Sequence, residues 1–275
     1  MENAAEKAMK EKFMQENLGR IKHKIVVLSG KGGVGKSTIS VNVAHGLATK
    51  GYKVGILDVD IHGPSIAKMV GIEGKTLTVA SQDDRPFPIK VNENLYALTI
   101  ATMMPDPDKP IVWRGPLKMG VIKQFLQDIE WPYLDFLIVD NPPGTGDEPL
   151  SVVQLLKNVS GSIIVSTPQE VAFLDARKTI KFSQQMNVPI LGLVENMSGF
   201  VCPDCGSVHE IFKGDGTAKA AKDFDLDILG KLPIDPNIVL SGDNGKSFVA
   251  DYPESLSAKE FEKIVNSIIK KLETE

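Results

Sequence analysis

One segment near the N-terminus joins a short apolar run to a glycine-rich loop and a helical pattern. The apolar run Ile25–Leu28 leads into the sequence SGKGGVGKST, and the stretch Ser37–Thr49 has a helical pattern. The loop matches G-x-x-x-x-G-K-[ST], a motif that depends on a strand before it and a helix after it. The sequence therefore predicts an α/β fold in which a phosphate-binding turn connects a strand to a helix.

The residue types in this loop suit the binding of a polyphosphate. Glycines allow backbone N–H groups to turn inward around phosphate oxygens, and the following helix points its positive end at the same oxygens. Lys36 is expected to reach the β- and γ-phosphates of ATP, and the Ser37 hydroxyl is expected to ligate Mg²⁺. The nucleotide-binding residues predicted in the loop are Gly30, Lys31, Gly32, Gly33, Val34, Gly35, Lys36, Ser37 and Thr38.

Apolar runs alternate with helical patterns along most of the chain. Several runs are continuous, which is typical of strands buried on both faces. Strand, helix and strand in series predict an α/β fold with a doubly wound, mostly parallel sheet and helices on both faces. The predicted strands are Ile25–Leu28, Val54–Leu57, Leu95–Ile100, Phe136–Val139, Ser162–Ser166 and Ile190–Val194, and the predicted helices are Ser37–Thr49, Leu117–Ile129, Ala172–Met186 and Leu256–Leu272.

The chain is expected to form a single domain, residues 24–275, behind a helical extension of residues 1–23. Its 275 residues lie near the size of one α/β unit, and neither a repeat nor a low-complexity linker interrupts them. The extension is rich in Glu, Lys, Ala and Met, which favour a helix, and we expect that helix to pack loosely. Lys75–Val91 and Met104–Pro110 are predicted to be loops.

Aspartates follow two of the predicted strands. Asp58 and Asp60 come after Val54–Leu57, and Asp140 comes after Phe136–Val139. The carboxyl ends of parallel strands are where folds of this kind bind ligands. Asp140 is therefore the candidate for holding the hydration shell of Mg²⁺. Asp58 is expected either to contact the ligands of the magnesium ion without binding the ion itself, or to have a structural role.

Charge and hydropathy exclude several classes of function. The formal net charge is −4, whereas a general attraction to nucleic acid or to anionic lipid needs a positive surface. No apolar run approaches the ~18–20 residues of a membrane span, and the N-terminus lacks the apolar core of a secretory signal. We expect a cytoplasmic protein that binds neither nucleic acid nor membrane.

The chain has two cysteines, Cys202 and Cys205, in the sequence CPDC. A redox dithiol would normally open a helix after a strand, whereas this pair lies in a loop beside Pro and Gly. A structural zinc needs four ligands, and one chain offers two thiolates with His209 as a further donor. A site shared by two chains would have four thiolates, which suits a [4Fe–4S] cluster or zinc. The spacing does not distinguish iron–sulfur from zinc.

The phosphate loop carries a second lysine and resembles the deviant Walker A loop of the MinD/ParA-type P-loop ATPases. Lys31 stands at the start of the loop beside Gly30. In that superfamily the additional lysine crosses a dimer interface to the partner's nucleotide. The resemblance implies an ATP-sandwich homodimer in which Lys31 acts in trans and Asp60 orients the attacking water. Lys31, Lys36 and Asp60 are therefore the candidate catalytic residues.

The same resemblance extends to the remaining nucleotide and magnesium contacts. It implies that Ser37 binds Mg²⁺ directly, whereas Asp60 and Asp140 hold the ion through water. Asn196 is expected to hydrogen-bond the adenine base, and Pro233 is expected to pack beside that base.

Further segments resemble the Mrp/ApbC branch of these ATPases, whose members carry iron–sulfur clusters. The resemblance implies that Cys202 and Cys205 ligate a labile [4Fe–4S] cluster that bridges two protomers. It also implies slow ATP hydrolysis coupled to cluster transfer to apo-proteins. His62 stands where Tyr is common, and the sequence GDG at 214–216 replaces a glycine run. The matching segments, within roughly residues 24–250, are Asp58–Ser65, Asp140–Asp147, Glu195–Ser198, Cys202–Gly206, Ile211–Phe212, Leu232–Pro236 and Ser241–Asp243.

Two other functions use the same kind of loop. A spatial or partition ATPase of the ParA/MinD type, with a structural zinc at the cysteine pair, would need a basic DNA-facing patch or a C-terminal membrane helix. Ile264–Leu272 includes Lys270 and Lys271, but the chain then ends in Glu-Thr-Glu and its net charge is negative. A metabolic kinase or ligase would need an acceptor pocket, for which the region 75–110 is the candidate.

Overall fold

The computed structural model describes residues 4–60, 63, 65–77, 79, 85–103, 115–202 and 204–273. The predicted loop Met104–Pro110 lies outside the described residues. So do Asp83 and Asp84 within the predicted loop Lys75–Val91, and so does His62.

The described residues form helices and strands that alternate along the chain. A single 3₁₀ turn, Ile100–Met103, follows the fourth strand. The strands are β1 Ile21–Leu28, β2 Val54–Asp58, β3 Ile89–Lys90, β4 Leu95–Thr99, β5 Leu134–Asp140, β6 Gly161–Ser166, β7 Ile190–Val201, β8 Val208–His209 and β9 Ile228–Ile234. The helices are α1 Ala4–Gly19, α2 Lys36–Thr49, α3 Ile66–Met69, α4 Gly115–Gln127, α5 Asp147–Leu156, α6 Glu170–Gln185, α7 Gly216–Asp223, α8 Pro236–Asp243, α9 Phe248–Asp251 and α10 Leu256–Glu273.

The strands form one sheet in the order β3-β4-β2-β5-β1-β6-β7-β8, and β9 also pairs with β7. All pairings are parallel except β3 with β4 and β7 with β8. Parallel strands of this kind need helices on both faces, because both faces of the sheet are apolar. The predicted α/β fold class is therefore confirmed.

Side chains of β1 show how the two faces are covered. Ile25 and Val27 belong to an apolar core with residues of α2 and α10. Val26 and Leu28 belong to a second core with residues of α1, α4 and α5. Because successive side chains of a strand point to opposite faces, the two cores lie on opposite sides of the sheet. The central strand β1 is thus buried on both sides and carries the phosphate loop at its carboxyl end.

The N-terminal helix α1 packs more tightly than expected. Met14 and Leu18 are buried, and the Asn17 side-chain amide donates to the carbonyl oxygens of Leu126 and Ile129 at 3.1 and 2.7 Å. The prediction of a helix is confirmed, but the expectation of loose packing is wrong for this half of it. The division of the chain at residue 24 stays a prediction.

Strand β7 is longer than the predicted strand Ile190–Val194. It continues to Val201, and its pairing with β9 shifts register between Asn196 and Phe200. Met197 adopts a positive φ of 57° within this shift. The polar residues after Val194 end the apolar run in the sequence, whereas pairing with β8 and β9 maintains the strand. This extension carries the chain from the sheet to the cysteine pair.

No helix within the described part of the chain is both long enough and apolar enough to cross a lipid bilayer.

Acid is expected to destabilise the fold through His45, a buried residue of α2. Burial lowers the pKa of His45 from 6.5 to about 4, and the charge of Asp251 opposes part of this shift. Between these values the unfolded chain binds a proton that the folded chain does not, so stability falls as the pH falls. Between pH 6.5 and 5 the free energy of unfolding should drop by about 1.5 kcal/mol more in the wild type than in His45→Leu. Urea unfolding at both pH values checks this, and equal pH slopes for the two proteins would contradict it.

Candidate functional site

The phosphate loop connects β1 to α2 with its glycines in the conformations that the turn requires. Gly33 and Gly35 have φ values of 78° and 84°, which side chains rarely adopt. A Cβ atom at Gly35 would also lie 2.2 Å from Nδ2 of Asn196. The loop therefore excludes a side chain at Gly35 for both conformational and steric reasons.

Lys36 and Asp140 form a buried ion pair beneath this loop. Lys36 Nζ lies 2.8 Å from Oδ1 of Asp140 and 4.0 Å from Oδ2 of Asp60. The Ser37 hydroxyl donates to Oδ2 of Asp140 at 2.6 Å, and the Ser40 hydroxyl donates to Oδ1 at 2.7 Å. Burial of these charges is tolerated because each has an opposite charge or a hydrogen-bond partner. The structure thus brings together Lys36, Ser37, Asp60 and Asp140, whose roles remain predictions.

Asp58 supports this site from the neighbouring strand β2. Its Oδ1 accepts the backbone N–H of Asp60 at 3.0 Å, and its Oδ2 accepts the Thr99 hydroxyl at 3.0 Å. Burial, reinforced by the charge of Asp140, raises the pKa of Asp58 well above its ordinary value. Asp58 therefore holds the backbone at Asp60 in place, and its predicted role stays a prediction.

Two of these supporting residues, Ser40 and Thr99, were not predicted from the sequence. Ser40 lies three positions after Ser37 on α2, and that helical spacing places both hydroxyls toward Asp140. Thr99 is the last residue of β4, which pairs with β2. A search for polar residues at these positions would have identified both.

The residues around Asp140 fit a magnesium ion. Mg²⁺ prefers oxygen ligands in an octahedral arrangement and keeps several waters. The hydroxyl of Ser37 and the carboxylate of Asp140 already meet at 2.6 Å. A second carboxylate, Asp60, lines a cavity of about 290 Å³ over the phosphate loop together with Ser37. This donor set is the kind that holds magnesium beside phosphates.

Lys31 also lines this cavity, and its side chain reaches the start of α6. Its ammonium group donates to Oε1 of Gln169 at 3.3 Å. Gln169 is the residue that precedes the first turn of α6. In a single chain Lys31 is therefore partnered within its own subunit, and its predicted action in trans stays a prediction.

Asn196 contacts the phosphate loop directly. It is buried in β7, and its Nδ2 donates to the carbonyl oxygen of Val34 at 2.9 Å. Asn196 pairs with Leu232 of β9, the residue before Pro233. Its amide nitrogen therefore braces the loop, and the contacts of Asn196 and Pro233 with adenine stay predictions.

The two cysteines lie at the tip of the turn between β7 and β8, here called the cysteine hairpin (residues 200–209). The backbone N–H of Cys202 donates to the Ser207 carbonyl oxygen, and the N–H of Gly206 donates to the Cys202 carbonyl oxygen, both at 2.9 Å. Both cysteines are free thiols, and Cys205 is exposed. This placement in a β-hairpin differs from the helix start that a redox dithiol normally occupies.

Hydrogen bonds favour the thiolate form of Cys205. Its Sγ lies 3.0 Å from the Ser207 hydroxyl oxygen, which lies 2.9 Å from Nε2 of His209. Bonds from Ser207, followed by one from the Cys202 thiol, lower the pKa of Cys205 below its ordinary value. Thiolate is the form of cysteine that binds metals.

One chain does not complete a metal site within the described residues. No group of three or more His, Cys, Asp or Glu side chains there is arranged to hold a metal ion. His209 contacts Ser207, so it does not join the two thiols in such a group. The sequence-based alternative of a zinc site within one chain, with His209 as a ligand, is therefore not assembled in this structure.

A family model matches most of the chain. Residues 20–269 match the family model described as ParA, NUBPL iron-transfer P-loop NTPase. The chain belongs to this family. It is accordingly a P-loop ATPase, and the resemblance to the Mrp/ApbC branch is confirmed.

Named relatives of this ATPase cover nearly all of the chain. An iron–sulfur cluster carrier protein of Methanocaldococcus jannaschii is 46% identical over 266 residues, which are 97% of this chain and 90% of the relative. A protein of the same description from Saccharolobus solfataricus is 46% identical over 268 residues, covering 95% of this chain and 88% of that protein.

Solved structures show the same fold. The nucleotide-binding protein of Archaeoglobus fulgidus in complex with ADP superimposes with a TM-score of 0.76 at 35% identity, over 90% of this chain and 98% of that one. The cell division ATPase MinD of Pyrococcus furiosus has a TM-score of 0.63 at 24% identity, over 91% of this ATPase and 99% of MinD. The predicted MinD/ParA-like architecture is therefore confirmed.

Proposed function

We propose that this ATPase is an iron–sulfur cluster carrier. Two copies hold a labile [4Fe–4S] cluster between their cysteine hairpins and transfer it to apo-proteins in a cycle of ATP binding and slow hydrolysis. The observation that carries the proposal is the pair of free thiols, half-buried Cys202 and exposed Cys205, which lacks further metal ligands among the described residues of its own chain. Relatives described as cluster carriers support it.

The cluster needs a second copy of the chain because it takes four thiolates. One chain has only two cysteines. Val208 and Ile211, beside the thiols, are exposed apolar residues that a second copy would cover. A cluster at the interface between two cysteine hairpins would be accessible from solvent, which suits its release to an acceptor protein.

The ATP step uses the residues beneath and beside the phosphate loop. Lys36, which contacts Asp140 in this structure, would turn to the phosphate oxygens and leave Asp140 and Ser37 to the metal. Magnesium, held by Ser37 directly and by Asp60 and Asp140 through water, would neutralise phosphate charge. Asp60 would orient the attacking water, and Lys31 of the paired copy would stabilise charge on the transferred phosphoryl group.

The C-terminal helix weighs against the alternative of a membrane-bound spatial regulator. Phe261, Ile264, Val265 and Ile268 of α10 are buried in the core that also contains α2. These apolar side chains stabilise the fold and are not available to a lipid surface.

Anaerobic reconstitution tests the carrier function. The protein is incubated with iron, sulfide and a reductant, and iron, sulfide and zinc are measured per polypeptide. About two iron and two sulfide per chain, or one [4Fe–4S] cluster per dimer, is the expected result. The loaded protein should then activate an apo-enzyme that requires such a cluster, with free iron and sulfide at equal concentration as the control. Tight zinc binding without iron uptake would contradict the proposal.

A further inference from the structure

The partner of Lys31 occupies a fixed position in the fold. Gln169 precedes α6, and the backbone at Pro168 and Gln169 is covered by the segment Gly214–Gly216. The N–H of Gly216 donates to the Pro168 carbonyl oxygen at 3.0 Å. A Cβ atom at Gly214 would lie 2.5 Å from the Pro168 oxygen, and one at Gly216 would lie 2.7 Å from the Gln169 oxygen. The two backbones therefore approach as closely as glycine permits.

Side chains on both sides of Gln169 reinforce this contact. The buried Thr217 hydroxyl donates to the Thr167 carbonyl oxygen at 3.1 Å. Lys219 bridges Glu170 at 2.6 Å and Asp215 at 2.7 Å. The backbone that presents the Gln169 side chain is thus tied down on either side, so the Gln169 amide is held within reach of Lys31.

Lys31 has a neutral hydrogen-bond acceptor, Gln169, which a negatively charged group can displace. Among the described residues, no carboxylate forms an ion pair with Lys31, and Gln169 is the hydrogen-bond partner of its ammonium group. An amide oxygen is a neutral acceptor, whereas a phosphate or carboxylate oxygen carries negative charge and adds Coulomb attraction to the ammonium group. A triphosphate on a second copy would therefore compete successfully for Lys31, whereas a carboxylate at position 169 would resist it.

We propose that Gln169 is a positioning residue that holds Lys31 within its own subunit until a nucleotide-bearing copy displaces it. This inference rests on the proposed function, in which Lys31 acts in trans. Gln169 then sets how much protein is needed for productive pairing, because only chains with a released Lys31 are competent to pair. The chemical step after pairing does not involve Gln169.

The test compares ATP hydrolysis by full-length variants across a range of protein concentrations. In Gln169→Ala the protein concentration that gives half-maximal specific activity should fall about threefold to tenfold, and in Gln169→Glu it should rise by a similar factor. The specific activity of Gln169→Ala at saturating protein should stay at the wild-type level. Gln184→Ala, the same substitution at an exposed position near the end of α6, is the control and should match the wild type.

Lys31→Ala, alone and combined with Gln169→Ala, separates this inference from the proposed function. If Lys31→Ala hydrolyses ATP at the wild-type rate, the action of Lys31 in trans is wrong. Lys31→Ala can be inactive while the two Gln169 variants match Gln184→Ala, or while both change the half-maximal protein concentration in the same direction. In either case the proposed role of Gln169 is wrong, and the action of Lys31 in trans is not contradicted. Opposite shifts of Gln169→Ala and Gln169→Glu support the proposed role of Gln169, because a purely structural role would weaken both.

Discussion

Replacing Lys31 by alanine is expected to slow ATP hydrolysis by about 10²- to 10³-fold. The ammonium group would no longer stabilise charge on the transferred phosphoryl group, whereas Lys36 and the loop N–H groups remain to bind the nucleotide. Binding of ADP to the variant should therefore persist. Phosphate release under single-turnover conditions measures the rate, and Lys22→Ala, which changes an exposed lysine of β1, is the matched control.

Mixing two inactive variants shows whether Lys31 acts across the dimer. Lys31→Ala keeps an intact phosphate loop lysine, and Lys36→Ala keeps an intact Lys31. In a mixed dimer the nucleotide bound by the first variant would receive Lys31 from the second. Hydrolysis should reappear in the mixture although each variant alone is inactive. A mixture that stays inactive, while pairing of the two variants is demonstrated, would place Lys31 at its own nucleotide and contradict the trans arrangement.

Replacing either cysteine by serine is expected to abolish cluster uptake. The dimer would retain two sulfur ligands where a [4Fe–4S] cluster needs four, and serine is a poor substitute for a thiolate. Iron and sulfide per chain after anaerobic reconstitution, together with the visible absorption of the cluster, should fall to background in Cys202→Ser and in Cys205→Ser. Asp204→Asn alters the same hairpin without removing a sulfur and should load like the wild type.

Nucleotide binding by the cysteine variants distinguishes a lost ligand from a lost fold. Both thiols lie at the surface end of the cysteine hairpin, outside the two cores that cover β1. ADP affinity and the thermal unfolding midpoint should therefore be unchanged in either variant. If either cysteine variant still takes up a full cluster, the cysteine pair is not the cluster site.

Local sequence patterns were enough to predict the fold class and the phosphate loop. The loop is contiguous, its neighbours are an apolar strand and a helix, and the aspartates stand at the ends of apolar runs. These features follow from the spacing of apolar residues and from the residues at the ends of strands, and both can be read from one continuous segment of sequence. The same patterns did not reveal β9, because Gly230, Lys231 and Pro233 interrupt its apolar residues. They did not reveal the extension of β7, because polar residues follow Val194 and the strand continues through its pairing with β8 and β9.

The sequence alone determined that this chain builds a parallel α/β sheet with a phosphate loop at its centre and a pair of thiols elsewhere. Only the tertiary structure decided what holds that loop. Asn196 reaches Val34 across 162 positions of sequence, and Gln169 reaches Lys31 across 138. Contacts of this kind have no local signature, because an ordinary Asn or Gln becomes a partner only when packing of the sheet brings distant strand ends together.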